Sequence, residues 1–341
     1  MRNFDGFYKG IDLGGWISQC GKNYNDEHYS TFITEKDIEK IASMGLDHVR
    51  MPVDYNVIQT EDGKLIESGM TYIDNCVNWC KKHGLNIVID LHKTCGYIFD
   101  DPTYCGFFAN EKLQDQFVYL WQEIAKRYGN DEHIAFELLN EITSADFTEP
   151  WNKIASRTVK EIRKIASDTK IVIGGIFNSS IYGLTKLDIP WDENIVLTFH
   201  CYNPLVFTHQ GAGWGDRLDK SYRTTFPATA EKLLADSRKY FGEDFDSDFN
   251  GITGMIDSSF FVKMFSDAIN VAKKLDLPLY CGEYGVIDQA DTEGTLNWFR
   301  LIHEAFEKHH IARAVWSYKE MDFGITDAHY APIYDELIKL L

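Results

Sequence analysis

The sequence predicts an α/β fold: a (β/α)8 TIM barrel with a small insertion subdomain between strand six and helix six. Three observations carry this. Eight short apolar runs alternate with segments of helical period along the 341 residues. The runs are apolar on both phases, as strands of a parallel sheet buried on both faces must be. The intervals between them are those of β/α units, with one exception.

The runs are Tyr8–Leu13, His48–Val53, Asn86–Leu91, Ile134–Leu139, Ile171–Gly175, Ile195–His200, Leu279–Glu283 and Ile311–Tyr318. Between the first two, Thr34 and Asp37 read as a capping box and Gly45 closes the helix. Tyr72–His83 is amphipathic and stops at Gly84. Leu113–Tyr128 places Phe117, Leu120, Trp121 and Ile124 on one stripe. Trp151–Ala166, Leu296–Lys308 and Ile333–Leu341 keep the same period. The exception lies between Ile195 and Leu279, which are 84 residues apart, about 45 more than a β/α unit needs. The excess reads as an inserted cap over Pro204–Ser259, containing GAGWGD, the charged stretch Glu231–Asp248, Gly251 and Gly254. It is too poor in apolar residues to be a domain of its own, so 1–341 is expected to form one catalytic domain.

Composition narrows the partners. With 44% hydrophobic and 25% charged residues the chain is an ordinary globular one. A net charge of −18 repels phosphate backbones and anionic bilayers, so neither nucleic acid nor membrane is an expected partner. No run of about 18 apolar residues is present. Met1–Gly10 has no apolar leader core, which leaves a cytoplasmic chain or a secreted one with its signal trimmed. Seven cysteines without tight spacing argue against a disulfide framework. Cys76 and Cys80 belong to one helix face, and Cys95 and Cys105 could pair across one loop. No CxxC, HExxH or EF-hand pattern occurs, so no metal or other cofactor is expected. Aromatic residues reach 14%. Most serve a large core, and some can line a groove for a flat, weakly polar ligand such as a sugar.

In a barrel of this kind reactive side chains sit at the C-terminal ends of the strands. Those ends carry Arg50 (strand two), His92 (three), Asn140 and Glu141 (four), His200 and Tyr202 (six), Glu283 (seven) and Trp316 (eight). A lone His or Arg there has an ordinary structural explanation, and a lone Glu can be a solvated rim residue. The joint pattern is harder to dismiss. Two carboxylates face each other across the mouth, ringed by hydrogen-bonding side chains. Such a pair suits glycoside hydrolysis, one protonated to deliver a proton and the other ionised to attack an oxocarbenium-like centre. Arg50 favours ionisation of its neighbour, and burial near negative charge raises the acid.

The stretches LGGWIS (Leu13–Ser18), HVRMP (His48–Pro52), IDLH (Ile89–His92), AFELLNE (Ala135–Glu141), FHCYNP (Phe199–Pro204), YCGEYGV (Tyr280–Val286) and AVWSYKEMDFG (Ala314–Gly324) together resemble glycoside hydrolase family 5, of the retaining clan of (β/α)8 hydrolases. The resemblance runs in order over nearly the whole chain, and the long interval after strand six is similar to that of compact endoglucanases. It implies Glu141 as acid/base and Glu283 as nucleophile. Arg50 would hydrogen-bond the nucleophile, Asn140 would hold the sugar 2-OH, and His92 and His200 would line the −1 subsite. Tyr202 would touch the nucleophile, and Trp316 would be a sugar platform. Where some relatives carry a second His after His92, this chain has Lys93. The Trp316–Ser317 peptide is expected to be cis, as in many relatives.

Subsite rings are sought on the mouth loops: Trp16, Tyr97, Phe99, Tyr104, Phe207 and Trp214, with Trp16 and Trp214 foremost. The expected activity is that of a retaining endo-β-1,4-glucanase on soluble cellulose, mixed-linkage β-glucan and glucomannan, acting as a monomer on a β-linked polysaccharide or oligosaccharide. An endo-β-1,4-mannanase is the alternative within the family. A barrel that only binds sugar would need a lost carboxylate. A metal-dependent hydrolase would need clustered ligands, for which only His92 and His200 are placed.

Overall fold

The computed structural model describes residues 1–189 and 191–341. Eight parallel strands close into a barrel in chain order. They are β1 (Lys9–Asp12), β2 (His48–Asp54), β3 (Asn86–Lys93), β4 (Ile134–Glu137), β5 (Lys170–Gly174), β6 (Ile195–Cys201), β7 (Leu279–Tyr284) and β8 (Ala312–Val315). Each coincides with a predicted run to within a few residues. The largest differences are at the ends of β4 and β8. Beyond Glu137 the chain leaves strand geometry yet stays beside its neighbours, with Leu138 N donating to Val172 O and Asn140 N to Leu91 O. Past Val315 it turns at Trp316, whose peptide to Ser317 is cis.

The helices follow their sequence signals. Thr34 and Asp37 form the capping box of Glu35–Ser43. The helix Glu67–His83 ends on Gly84 at φ 73°, a left-handed position that a glycine adopts without strain. The C-terminal segment differs from expectation. Residues 331–340 form three short turns instead of one helix, too short a stretch at the chain end for its few backbone hydrogen bonds to enforce one continuous helix.

Strand period two builds the barrel interior in layers. The lowest is apolar: Val88, Ala135, Val172, Val196 and Tyr280, plugged from below by Phe4 and Phe7, whose rings stack at 4.5 Å. Two residues further along the strands the same phase carries Asp12, Arg50, Asp90, Glu137 and Thr198, all buried. One more step reaches His92 and His200 at the mouth. Irregular register between β7 and its neighbours, around Cys281–Tyr284, brings Glu283 beside His200, as a bulge re-aims a side chain.

The segment after β6 folds as helices Leu205–Thr208 and Ala230–Phe241 joined by turns, before helices Ser259–Met264 and Ser266–Leu275 lead to β7. Its apolar residues Phe207, Phe226, Leu233 and Phe249 join the core that surrounds the barrel. All seven cysteines are free, Cys95 and Cys105 included. Cys76 and Cys80 share a buried helix face. Among the described residues no helix is long and apolar enough to cross a membrane.

Candidate active site

Arg50 organises the floor of the site. Its guanidinium is fully buried and meets four carboxylates. Nε and Nη2 donate to the two oxygens of Glu137 at 2.6 and 3.2 Å. Nη1 donates to Asp12 at 3.0 Å and to Glu283 Oε1 at 2.9 Å. Nη2 reaches Asp90 at 3.0 Å and Asn140 Oδ1 at 3.0 Å. One cation cannot neutralise four buried anions, so protons remain on the cluster. Burial, only partly offset by Arg50, pushes Asp90 up to about 7. It pushes Asp12 and Glu137 up as well. Sequence reasoning missed these three acids. The signal was available: Asp90 lies two residues before His92 and shares its inward phase, and a charged residue inside an otherwise apolar strand needs a partner.

Glu283 is held on both oxygens. Arg50 takes Oε1, and the Tyr202 hydroxyl donates to Oε2 at 2.9 Å. Burial and the carboxylates around it push the Tyr202 phenol well up, so it stays a donor. Glu141 is held by different donors. His200 Nδ1 lies 2.8 Å from Oε1 and Asn178 Nδ2 donates to Oε2 at 2.9 Å. Its backbone, at φ 34°, is fixed by the Tyr97 hydroxyl, which donates to the Glu141 carbonyl at 2.6 Å and accepts from Thr143 N. One oxygen of each glutamate and one ring nitrogen of His200 all lie within 4.8 Å of one another.

Glu141 differs from its sequence expectation in one respect. Burial raises the Glu141 carboxyl, but the hydrogen bond and charge of His200 and the Asn178 amide outweigh it, so the group sits below its ordinary value. His200 is raised in turn, burial being overcome by Glu283 and Glu141. The two opposite shifts favour an ion pair between the His200 ring and the Glu141 carboxyl across their 2.8 Å contact. His92 behaves otherwise. Burial lowers it to about 4, and its Nδ1 meets Asp90 at 2.6 Å. Its ring lies parallel to Trp316 at 5.8 Å and edge-on to Phe99 at 5.1 Å. Gly14 lets Trp316 lie where it does: a Cβ there would come within 2.9 Å of the indole. Asn140 presents a buried Nδ2 with no protein partner among the described residues, a donor for a ligand hydroxyl.

The cluster of Glu141, His200 and Glu283 was not expected to offer a cation three ligands, yet its spacing would suit one. The chemistry of the donors points elsewhere. Nδ1 of His200 already faces Glu141, and Arg50 already pairs with Glu283, so this is an ion-pair network.

The sequence profile described as cellulase (glycosyl hydrolase family 5) matches residues 14–322. The chain belongs to glycosyl hydrolase family 5. Endoglucanase C of Acetivibrio thermocellus is 42% identical over 342 residues, covering 98% of each chain. Cellodextrinase A of Ruminococcus flavefaciens is 43% identical over 311 residues, covering 90% of this chain and 84% of the relative. The crystal structure of Thermotoga maritima Cel5A with mannotriose matches with a TM-score of 0.76 at 26% identity, covering 98% of this chain and 97% of that one. The same enzyme with cellobiose matches with a TM-score of 0.75.

Not every ring proposed for the cleft of this family 5 glycoside hydrolase lies in it. Trp16 is fully buried, stacks on Trp79 at 6.2 Å and donates Nε1–H to Tyr29 O. Its loop turns inward because that carbonyl satisfies the indole and the ring gains a core contact. Phe207 and Tyr97 are likewise buried, Tyr97 serving the Glu141 backbone. Phe99 and Tyr104 are partly buried, and Lys93 spans Phe99 and Asp100. Trp214 is 60% exposed. It donates to Asp322 Oδ2 at 2.9 Å and meets His209 edge-on at 5.4 Å. His209 in turn packs on Tyr202, so contacts run from the inserted segment to Glu283. Two rings went unnoticed in the sequence: Phe177 and Tyr182 after β5, exposed by 44% and 57% and 5.9 Å apart.

Truncating the two tryptophans should therefore separate stability from binding. Trp16→Ala removes a buried indole and should cost about 3–5 kcal/mol of stability. Trp214→Ala should leave the unfolding temperature in place and raise KM about 3- to 10-fold with little change in kcat, as loss of a stacking surface does when ground and transition states use it alike. Thermal unfolding and steady-state kinetics on a cello-oligosaccharide check both. A large loss of kcat at unchanged KM for the Trp214 variant would place the inserted segment in the reacting centre.

Proposed function

We propose that the protein is a retaining endo-β-1,4-glucanase, cutting soluble or amorphous β-glucans by a double displacement in which Glu283 attacks and Glu141 serves as acid and then base. The observation that carries this is the pair of carboxylates, with oxygens within 4.8 Å, each in its own donor set. Retaining enzymes place their carboxyl groups about 5–5.5 Å apart and inverting ones about 6.5–9.5 Å. Arg50 and Tyr202 keep both oxygens of Glu283 oriented. In the first step Glu283 forms a bond to the anomeric carbon as the glycosidic bond breaks, and the proton shared by Glu141 and His200 goes to the leaving oxygen. In the second, Glu141 takes a proton from water, which displaces Glu283. The unpartnered Asn140 Nδ2 supports a bond to the 2-OH, and the parallel rings of Trp316 and His92 support their assignment to the −1 sugar. Every one of these groups comes from one chain, which supports action as a monomer.

Substrate choice rests on the relatives and the rings. Near-full-length relatives at 42% and 43% identity carry the names endoglucanase and cellodextrinase. Trp214 lies on the segment after β6, and the neighbouring rings of Phe177 and Tyr182 on the connection after β5, two separate mouth loops, which suits an open groove with several subsites. We assign Trp214 and the segment 204–259 to one wall of that groove, acting on binding. One observation favours a second reading, an endo-β-1,4-mannanase: the structural neighbour from Thermotoga maritima is described with mannotriose as well as cellobiose. The first product released from cellopentaose should be the β-anomer by proton NMR, and viscosity of barley β-glucan should fall faster than reducing ends appear. An initial α-anomer sinks the double displacement. Cleavage of pure mannan without cleavage of β-glucan overturns the substrate.

A further inference from the structure

The turn after β5 lies on the leading edge of the acid/base and has no role in the mechanism above. Phe177, Asn178 and Ser179 adopt φ values of 54°, 56° and 52° in succession. Left-handed backbone is uncommon for a non-glycine residue and a genuine outlier for a bulky one such as Phe. A strand-to-helix connection could be made without it. What the conformation achieves is contact with the segment that follows β4. The Asn178 backbone N–H donates to Ile142 O at 3.0 Å, and its side-chain amide donates to Glu141 Oε2 at 2.9 Å. Asn178 thus grips the residue after the acid by its backbone and the acid itself by its side chain. Asparagine is the residue type that combines tolerance of this conformation with an amide donor on a short stem.

We propose that Asn178 is a positioning residue for Glu141, holding the carboxyl by Oε2 so that its plane and its proton affinity suit delivery to the leaving oxygen. The proposal rests on the reading of Glu141 as the acid/base. His200 holds Oε1 from the barrel side, whereas Asn178 is exposed at the mouth. With both oxygens engaged the carboxyl cannot rotate, and a proton-transfer step depends steeply on such geometry. The other titratable groups that act on Glu141 are His200, Glu283, Tyr202, His92, His209 and Tyr97, on or after β6, β7, β6, β3, β6 and β3 respectively, with Asp90 of β3 beneath. None of them touches Oε2, so the amide acts on that oxygen alone. An N–H donated to a carboxylate favours the charged form, and its removal must raise the carboxyl.

Two variants separate the amide from the turn. Asn178→Gly keeps a residue at ease in left-handed backbone and loses the donor. Asn178→Asp keeps the shape and replaces the donor by a like charge. The measurements are the Glu141 carboxyl titration by carbon-13 NMR, kcat/KM on cellotetraose and on an activated aryl cellobioside, and thermal unfolding, with Glu141→Gln alongside. The expected result is a titration midpoint shifted to higher pH in both variants, further in Asn178→Asp. With it goes a loss of about tenfold in kcat/KM on cellotetraose and a far smaller loss on the aryl substrate. A role confined to the turn would move the unfolding temperature and not the midpoint. If Glu141→Gln is crippled on cellotetraose while Asn178→Gly matches the wild type in midpoint and kcat/KM, the positioning role is overturned and the acid assignment stands. If Glu141→Gln cleaves cellotetraose like the wild type, the acid assignment fails and takes this inference with it.

Discussion

Glu283→Gln is expected to leave the fold intact and to cut turnover on every β-glucan by roughly 10^4-fold or more, the scale on which enzymes lose rate when a covalent nucleophile is removed. The amide is nearly isosteric, so the network around it survives. Arg50 keeps Asp12, Asp90 and Glu137 at 2.6–3.2 Å; the Gln carbonyl can still accept from Arg50, while the Tyr202 hydroxyl turns to accept from the new amide N–H. Removing one of four carboxylates around a single guanidinium does not strand the cation, which is the circumstance that makes breaking a buried ion pair costly. The chemistry does not survive, since a neutral amide neither attacks the anomeric carbon nor stabilises positive charge there. Circular dichroism and thermal unfolding should match the wild type. A smaller variant, Glu283→Gly, supplies a positive control: azide entering from the vacated face of a β-glycoside with a good leaving group should give the α-glycosyl azide. A β-azide, or residual turnover of a few per cent in Glu283→Gln, would remove Glu283 from the nucleophile's role.

Much of this site could be read from strand phase alone. His92, Asn140, Glu141, His200, Tyr202, Glu283 and Trp316 stand at or just beyond strand ends, and a closed parallel barrel has one mouth where those ends meet; Arg50, expected at an end, lies inside β2, one layer lower, and reaches the site through its long side chain. Once the eight apolar runs are identified, convergence follows from topology. Loop residues lack such a rule. Trp16 and Trp214 both follow a glycine on a mouth loop, yet one ring fills the core and the other projects by 60% of its surface. The difference is made by Tyr29 O and Trp79 for the first and by Asp322 for the second, partners that are 13, 63 and 108 residues away along the chain. Asn178 was hidden for the same reason, since nothing local in GGIFNSS states that a left-handed turn will carry its amide back to the segment that follows β4. The floor acids Asp12, Asp90 and Glu137 were a different kind of omission. Their phase was legible, and what it required was to ask how one buried Arg50 could satisfy them.

Glu141→Gln should show a loss that depends on the leaving group. On cello-oligosaccharides, whose departing alkoxide must be protonated as it leaves, kcat/KM should fall by about 10^2- to 10^4-fold, the usual contribution of general acid catalysis. On an aryl cellobioside with a stable phenolate the first step needs no proton, so kcat/KM should hold near the wild-type value. The second step still needs a base to activate water, so kcat should drop on the same substrate and a burst of phenolate should precede the slow steady state. The pH profile adds an independent sign. On the proposed reading the proton to be delivered is held by the hydrogen-bonded pair of Glu141 and His200, whose imidazole is raised above its ordinary value by Glu283 and Glu141. Activity on oligosaccharides should therefore be present while the pair holds that proton and fall as pH rises through the raised imidazole value. That limb belongs to the pair and not to an isolated carboxylic acid. In Glu141→Gln on the aryl substrate the alkaline limb of kcat/KM should vanish, because no proton donor is needed for the first step. Equal losses on both substrate types, with the alkaline limb unmoved, would mean that another group is the acid.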